Sequence, residues 1–114
     1  MRLTELEPQW LKLDRQDLRH SRYLSEKAEA DGILFVCPKC LVKNGGQRPG
    51  VHSVICWNPS VPQSVLPNPG RWDLQGSSFD DLTLVAGSSS VLIKGGCAAH
   101  FYIRNGDIVP CDPW

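Results

Sequence analysis

Two pairs of metal-ligand residues, each with a two-residue spacer, constrain this chain more than any other feature. The first pair is Cys37 and Cys40 in Cys-Pro-Lys-Cys, and the second is Cys97 and His100 in Cys-Ala-Ala-His. A two-residue spacer lets a tight turn direct both side chains at one point, and tetrahedral Zn²⁺ is typically held by cysteine sulfur and histidine nitrogen. The spacing therefore predicts a Cys3His zinc site formed by Cys37, Cys40, Cys97 and His100.

Four protein ligands predict a closed, structural site, because a catalytic zinc keeps one position open for water. The chain has five cysteines, and an odd number does not fit a framework built of internal disulfides alone. The first residues, MRLTELEPQW, lack the apolar core of a signal peptide, and no apolar run approaches the roughly 20 residues of a membrane-spanning helix. We therefore expect reduced thiols, a cytoplasmic location and no membrane association.

Two other interpretations of the cysteines stay open. Buried cysteines often act as small apolar core residues, and His100 would then be a hydrogen-bonded core histidine. A lone CxxC pair is also typical of redox proteins, although no βαβ pattern surrounds Cys37 and Cys40.

His52 and Cys56 form a competing set of ligands within one apparent strand. Along an extended chain they are about 13 Å apart, so both could reach one ion only if the segment bends. We therefore expect core or surface roles for them, and keep both, together with Trp72, as additional candidate functional residues. Cys111 is expected to be a free thiol near the C-terminus, and His20 to be exposed to solvent.

The remaining sequence predicts a mainly β fold. A chain of 114 residues fits a single domain over 1–114, with a polar N-terminal segment over 1–31 and a core over 32–110. Residues 14–30 carry only a weak helical pattern of apolar side chains, so a short N-terminal helix is the most helix we expect. Short apolar runs bounded by Gly, Pro, Ser or Asp predict strands. These runs are Ile33 to Val36, Val51 to Trp57, Arg71 to Leu74, Leu82 to Val85, Val91 to Lys94 and Phe101 to Arg104.

Turn and proline signals complete the predicted architecture. Asn105-Gly106 tolerates the positive backbone angles of a two-residue hairpin turn, so a hairpin is expected there. Four prolines make 58–70 an extended surface connection that cannot be a central strand. The prediction is a small antiparallel β domain in which zinc ties an early strand to a late hairpin.

For function, the visible chemistry predicts a protein-binding module with a structural zinc site rather than an enzyme. One alternative is nucleic-acid binding through the basic segment 39–71, because residues 32–72 carry four basic and no acidic side chains. Aromatic residues could assist by stacking on bases. They are Trp57, Trp72, Phe79, Phe101 and Tyr102. A further alternative is a zinc-dependent hydrolase in which His52 acts beside an open metal site.

Four strings, FVCPKC, HSVICW, PGRWDLQGSSFDDLTL and GGCAAHFYIRNGDI, resemble a family of small uncharacterised bacteriophage and prophage proteins that carry a domain of unknown function. The resemblance covers about residues 33–109. It implies that Cys97 and His100 are metal ligands and that Cys37 and Cys40 form the first ligand pair, whereas His52 and Trp72 match recurring positions with no assigned role. It also implies a phage accessory protein. The occurrence of similar proteins near ubiquitin-like conjugation genes implies a partner-binding role.

Overall fold

The computed structural model describes residues 1–87, 89–93 and 96–114. Within these residues the chain forms nine strands, one short α-helix and one turn of 3₁₀ helix at Leu3–Leu6. The elements are β1 (Gln9–Leu13), β2 (Ser21–Leu24), β3 (Gly32–Val36), α1 (Pro38–Lys43), β4 (Ser53–Trp57), β5 (Asp73–Gln75), β6 (Thr83–Val85), β7 (Val91–Leu92), β8 (His100–Arg104) and β9 (Asp107–Pro110). All strand pairs are antiparallel, which confirms the predicted mainly β fold.

The largest sheet has four strands in the order β2-β1-β3-β4. Strand β3 lies inside this sheet, and four of its five residues are buried, including Phe35, whereas Leu34, paired with Ile55, is half-buried. Its neighbour β4 pairs with it over five residues, from Gly32 opposite Trp57 to Val36 opposite Ser53. The chain that follows β3 and the chain that precedes β4 lie at the same end of this hairpin, and they carry the candidate ligands Cys37 and His52.

The second half of the chain forms a two-stranded sheet, β5-β6, and a three-stranded sheet, β7-β8-β9. The predicted turn between β8 and β9 is confirmed: Asn105 and Gly106 have φ angles of 48° and 77°. A Cβ atom at Gly106 would collide with the carbonyl oxygen of Asp80, so glycine is required there for space as well as for backbone angle. Strand β7 covers the start of its predicted run, and Lys94 lies outside the described residues.

The core lies between the four-stranded sheet and the two smaller sheets. Phe35 of β3 and Phe101 of β8 meet edge to face with ring centroids 6.1 Å apart, and both are fully buried. A second, smaller apolar cluster lies on the opposite face of the four-stranded sheet, where the proline-rich segment 58–70 covers it. Arg71 holds that segment in shape by donating to backbone carbonyls. These belong to Val61, Pro62, Val65, Pro67 and Gly70.

The N-terminal third differs from the sequence expectation. The polar segment 14–30 contains strand β2 instead of a helix, because pairing such as Trp10 with Leu24 satisfies its backbone along β1. Trp10 is also buried and stacks on Phe79 at 4.1 Å, and Leu3 is fully buried in the main core. The packed body therefore includes the N-terminal residues as well as 32–110.

Candidate metal centre

Four side chains converge at one end of the β3–β4 hairpin. The ligand atoms of Cys37, Cys40, His52 and Cys97 all lie within 4.8 Å of one another. They come from three separate segments, because Cys37 and Cys40 flank the start of α1, His52 precedes β4 and Cys97 precedes β8. The arrangement is close enough to hold a metal ion.

The first pair is positioned by the transition from strand to helix. Cys37 is the N-cap of α1 and Pro38 is its first residue, a position that suits proline because no amide partner is needed there. The amide of Leu41 donates to the carbonyl of Cys37 at 3.0 Å, which closes the first helical turn. Cys40 lies within this turn, so its sulfur points towards the same side as that of Cys37.

His52 is positioned by strand register. Val36 pairs with Ser53, and continuing the ladder by one step places His52 opposite Cys37, whose amide donates to the His52 carbonyl at 2.9 Å. The imidazole Nδ1 lies 3.3 Å from the Ser53 carbonyl oxygen, and Nε2 lies 3.4 Å from the Cys97 sulfur. With a metal on Nε2, the ring proton resides on Nδ1, which then donates to that carbonyl; this is the usual second contact of a ligating histidine.

Cys97 reaches the cluster through a turn of left-handed backbone. Gly96 and Ala98 on either side have φ angles of 49° and 50°. Beyond this turn the chain rejoins the sheet, where Ile93 donates to the Ala99 carbonyl at 2.8 Å. Glycine adopts such a conformation without strain, whereas it is unfavourable for a residue with a side chain such as Ala98.

Two edges of the cluster have nearly the lengths that a tetrahedral zinc site requires. With metal–sulfur and metal–nitrogen distances of about 2.3 and 2.05 Å, tetrahedral zinc requires sulfur–sulfur edges of about 3.8 Å and sulfur–nitrogen edges of about 3.6 Å. The sulfurs of Cys37 and Cys97 are 3.7 Å apart, and the edge from His52 to Cys97 is 3.4 Å. The cysteines are free thiols, and 3.7 Å is far beyond the length of a disulfide bond.

The three thiols of the cluster have different pKa values. Burial, together with hydrogen bonding by Cys97 and Cys40, raises the pKa of Cys37 to about 12, and burial also raises the pKa of Cys40. Burial opposes ionisation of Cys97 as well, but hydrogen bonds from His52, the Ala99 amide and the other two thiols lower its pKa to about 7. Without a metal, negative charge therefore concentrates on Cys97, and a cation would displace protons from Cys37 and Cys40.

The histidine of the cluster is His52, and the structure does not bring His100 into it. His100 is the first residue of β8, where side chains alternate and the neighbouring Ala99 and Phe101 point into the core. Its Nδ1 lies 3.8 Å from the Asp112 carboxylate in the C-terminal segment. The Cys-x-x-His spacing does not form a knuckle here because the chain enters a strand between Cys97 and His100.

The other candidates are distributed around the fold. Cys56 is fully buried in the main core, where burial raises the pKa of its thiol, and it does not join the cluster. Cys111 is a half-buried free thiol whose amide donates to the His100 carbonyl, and His20 is exposed and lies 3.5 Å from the Asp17 carboxylate. Trp72 is half-buried and packs against the core.

Sequence reasoning treated His52 as a competing ligand together with Cys56 and, in the hydrolase alternative, as a residue beside the metal, but not as the fourth ligand of the three cysteines. The signal for its real position was the pairing of two consecutive predicted strands. Pairing of Ile33 to Val36 with Val51 to Trp57, in the register that sets Val36 opposite Ser53, places His52 opposite Cys37.

A groove starts at His52 and runs beside β4. We call it the β4 groove; its volume is about 490 Å³. Its lining includes Pro67 to Gly70, Arg71 and Trp72 from one segment, and Val91, Leu92 and Ile93 from another. It is lined mainly by apolar side chains, and it has the size of a typical ligand-binding cleft.

The described part of the chain contains no helix that is long and apolar enough to cross a membrane. Comparisons of the chain with known protein families, with curated proteins and with solved structures found no match.

Proposed function

We propose that this chain is a protein-binding module whose fold is closed by a structural Zn²⁺ ion held by Cys37, Cys40, His52 and Cys97. The observation that carries the metal assignment is the convergence of three sulfurs and one imidazole nitrogen within 4.8 Å. Sulfur and imidazole ligands in this number favour zinc over the harder cations Mg²⁺ and Ca²⁺.

A structural role is supported by the number of ligands. Four side chains fill a tetrahedral shell and leave no position for the water that a hydrolase would activate. The hydrolase alternative needed His52 beside the metal as a base, but His52 is itself one of the converging ligands. The ion would join segments that are distant in sequence, so binding free energy would become folding free energy.

Protein binding is supported by the β4 groove and the sheet face next to it. Leu34 and Ile55 lie on the outer face of the four-stranded sheet beside Tyr23, which is 62% exposed, and Ile55 also lines the β4 groove. Leu92, which also lines the groove, is 53% exposed. Adjoining apolar surface of this kind is typical of interaction sites.

Nucleic-acid binding draws less support from the basic segment. The Arg71 guanidinium is used internally by the proline-rich segment, and Arg48 forms an ion pair with Glu7. Two aromatic residues proposed for stacking, Trp57 and Phe101, are buried. Lys39 and Lys43 on α1 remain, which is a small footprint for a phosphate backbone.

The proposal also includes the compartment in which the protein acts. A reducing cytoplasm would keep all five cysteines available as thiols, and the resemblance to bacteriophage proteins would place the chain in an infected host cell.

The test begins with metal content. Purified protein should contain close to one zinc per chain, and Cys40→Ser and His52→Ala should lower that content while His100→Ala leaves it unchanged. A mobility-shift assay with DNA and RNA at two salt concentrations should show no salt-sensitive complex. Protein with no bound transition metal and unchanged thermal stability in chelator would overturn the zinc assignment, and a tight salt-sensitive complex would replace the protein partner by a nucleic acid.

A further inference from the structure

Strand β4 is the last strand of its sheet, and among the described residues no further strand pairs with its other edge. The carbonyl of His52 accepts a hydrogen bond from the β3 side at one end of the ladder, at 2.9 Å, and the amide of Asn58 donates to that side at the other end, at 2.7 Å. Backbone groups alternate between the two edges of a strand. Those of Ser53, Ile55 and Trp57 therefore point away from β3.

Only part of this edge has partners within the molecule. The carbonyl of Trp57 accepts from the Trp72 amide at 3.0 Å, and the carbonyl of Ser53 lies 3.3 Å from the His52 ring. Among the described residues, no partner contacts the amide of Ser53 or either backbone group of Ile55. Ser53 and Ile55 both line the β4 groove, so these groups are available there at the spacing that a second strand would match.

The walls of the groove restrict what can reach this edge. The groove that contains this edge is also lined by Pro67 to Gly70 and by Val91 to Ile93. A single extended chain needs less room in such a groove than the sheet edge of a second folded copy. Leu92, which also lines the groove, is 53% exposed and offers apolar contact to alternate side chains of an inserted strand.

The charged residues that line the groove restrict which charges a bound peptide segment can carry. The described residues that line it include the cation Arg71 and the metal-site residue His52, and they include no carboxylate. A lysine or arginine at the centre of an inserted segment would be desolvated without an anionic partner, which is costly. A neutral segment meets no such penalty, and for an acidic segment the desolvation cost is offset in part by attraction to Arg71.

We propose that the β4 groove binds an extended, neutral or acidic peptide segment of a partner protein, which pairs with Ser53 and Ile55 as an added strand. This inference rests on the proposed protein-binding function and names the class of partner segment. Strand addition takes its affinity from main-chain hydrogen bonds and its specificity from pockets for alternate side chains. Because His52 lies at the start of the same edge, the metal site would hold the end of β4 where pairing begins.

The experiment uses the zinc-loaded full chain and a panel of decapeptides with blocked ends. In these peptides valine or isoleucine alternates with serine or threonine, and the polar positions are varied to glutamate or lysine. The amide signals of Ser53 and Ile55 are followed by NMR titration and by hydrogen exchange. Neutral and acidic peptides should shift these two amides and slow the exchange of the Ile55 amide, and lysine peptides should bind about tenfold more weakly.

Peptide N-methylation provides the matched control. Methyl groups on the alternate amides that face β4 should weaken binding by about tenfold or more, and methyl groups on the other amides should not. Among protein variants, Leu92→Asp should weaken binding of acidic peptides and strengthen binding of lysine peptides. Leu18→Ser, which changes another exposed leucine outside the groove, should bind like the unaltered chain.

Three results would overturn the proposal. One is the absence of any shift at Ser53 and Ile55 with every peptide of the panel at millimolar concentration. Another is binding that is insensitive to which set of amides is methylated. The third is a concentration-dependent dimer in which these same amides are protected, because the occupant would then be a second copy. None of these results affects the metal content, so failure here is distinguishable from failure of the zinc assignment.

Discussion

Two metal sites compete: the cluster with His52 that the structure contains, and the Cys-x-x-His pair with His100 that the spacing predicted. Replacing each histidine by alanine, His52→Ala and His100→Ala, distinguishes between them. In the metal-bound chain, His52 and Cys37 close a loop of about 15 residues, from position 37 to position 52. In the chain-entropy treatment of a cross-link, such a loop contributes about 3 kcal/mol to stability. Loss of this link corresponds to roughly a 150-fold weaker metal complex, since each factor of ten is about 1.4 kcal/mol.

The His100→Ala variant should behave differently. The side chain of His100 is 33% exposed, and its ionic contact is with Asp112 at 3.8 Å, whose own side chain is 65% exposed. A pair of this kind contributes about 0–1 kcal/mol. For a domain of this size, about 1 kcal/mol shifts the melting temperature by roughly 4 °C. We therefore expect a decrease of about 12 °C for His52→Ala and of at most about 4 °C for His100→Ala.

The assay is thermal unfolding followed by circular dichroism, with and without chelator, combined with native mass spectrometry of each variant. In chelator, the unaltered chain and His52→Ala should approach the same melting temperature, because the difference between them is the metal link. His100→Ala should keep its ion and its sensitivity to chelator. Loss of the ion in His100→Ala with retention in His52→Ala would refute the reasoning from strand register and restore the Cys-x-x-His pair.

The remaining predictions concern pH and two charged residues. The pKa values of Cys37 and Cys40 are raised and that of Cys97 is about 7, so metal binding near pH 7 should displace between two and three protons. Affinity measured by competition with a chelator should therefore rise by more than about 100-fold per pH unit, and an affinity independent of pH would contradict this prediction. Burial raises the pKa of Cys56, so above about pH 8.5 the thiol ionises only in the unfolded state. The free energy of unfolding of the metal-free chain, measured in urea, should therefore fall as pH rises above that value, and Cys56→Ala should show a smaller fall. Asp31 is buried and accepts hydrogen bonds from the Leu13 amide at 2.8 Å and from Arg15 at 2.7 Å. Asp31→Ala should therefore lower the free energy of unfolding in urea by about 2–4 kcal/mol. A decrease below about 1 kcal/mol would show that these hydrogen bonds are dispensable. Arg71→Lys keeps the charge but cannot reproduce the forked hydrogen bonds to the proline-rich segment, so hydrogen exchange over 58–70 should accelerate, and unchanged exchange would count against this role of Arg71.

Local signals in the sequence were sufficient for several elements. Asn105-Gly106 predicted the β8–β9 hairpin correctly because the positive φ angles of that turn depend on two residues and little else. The runs Ile33 to Val36 and Leu82 to Val85 predicted β3 and β6 closely, since short branched apolar runs between turn residues have few other uses in a small domain. Strand β2 was not predicted, because its exposed polar residues form a strand only through pairing with β1.

The sequence by itself determined that this chain is a small, mainly β protein and that Cys37, Cys40 and Cys97 belong together. Pro38 and the short spacer already define the turn that brings the first two sulfurs to one side. Only the tertiary structure decided which histidine joins them, because a Cys-x-x-His spacing acts as a ligand pair only when the intervening backbone turns, and here the chain enters β8. His52 reaches the cluster through the register of β3 against β4, and cross-strand register is a property of two paired segments that neither carries alone.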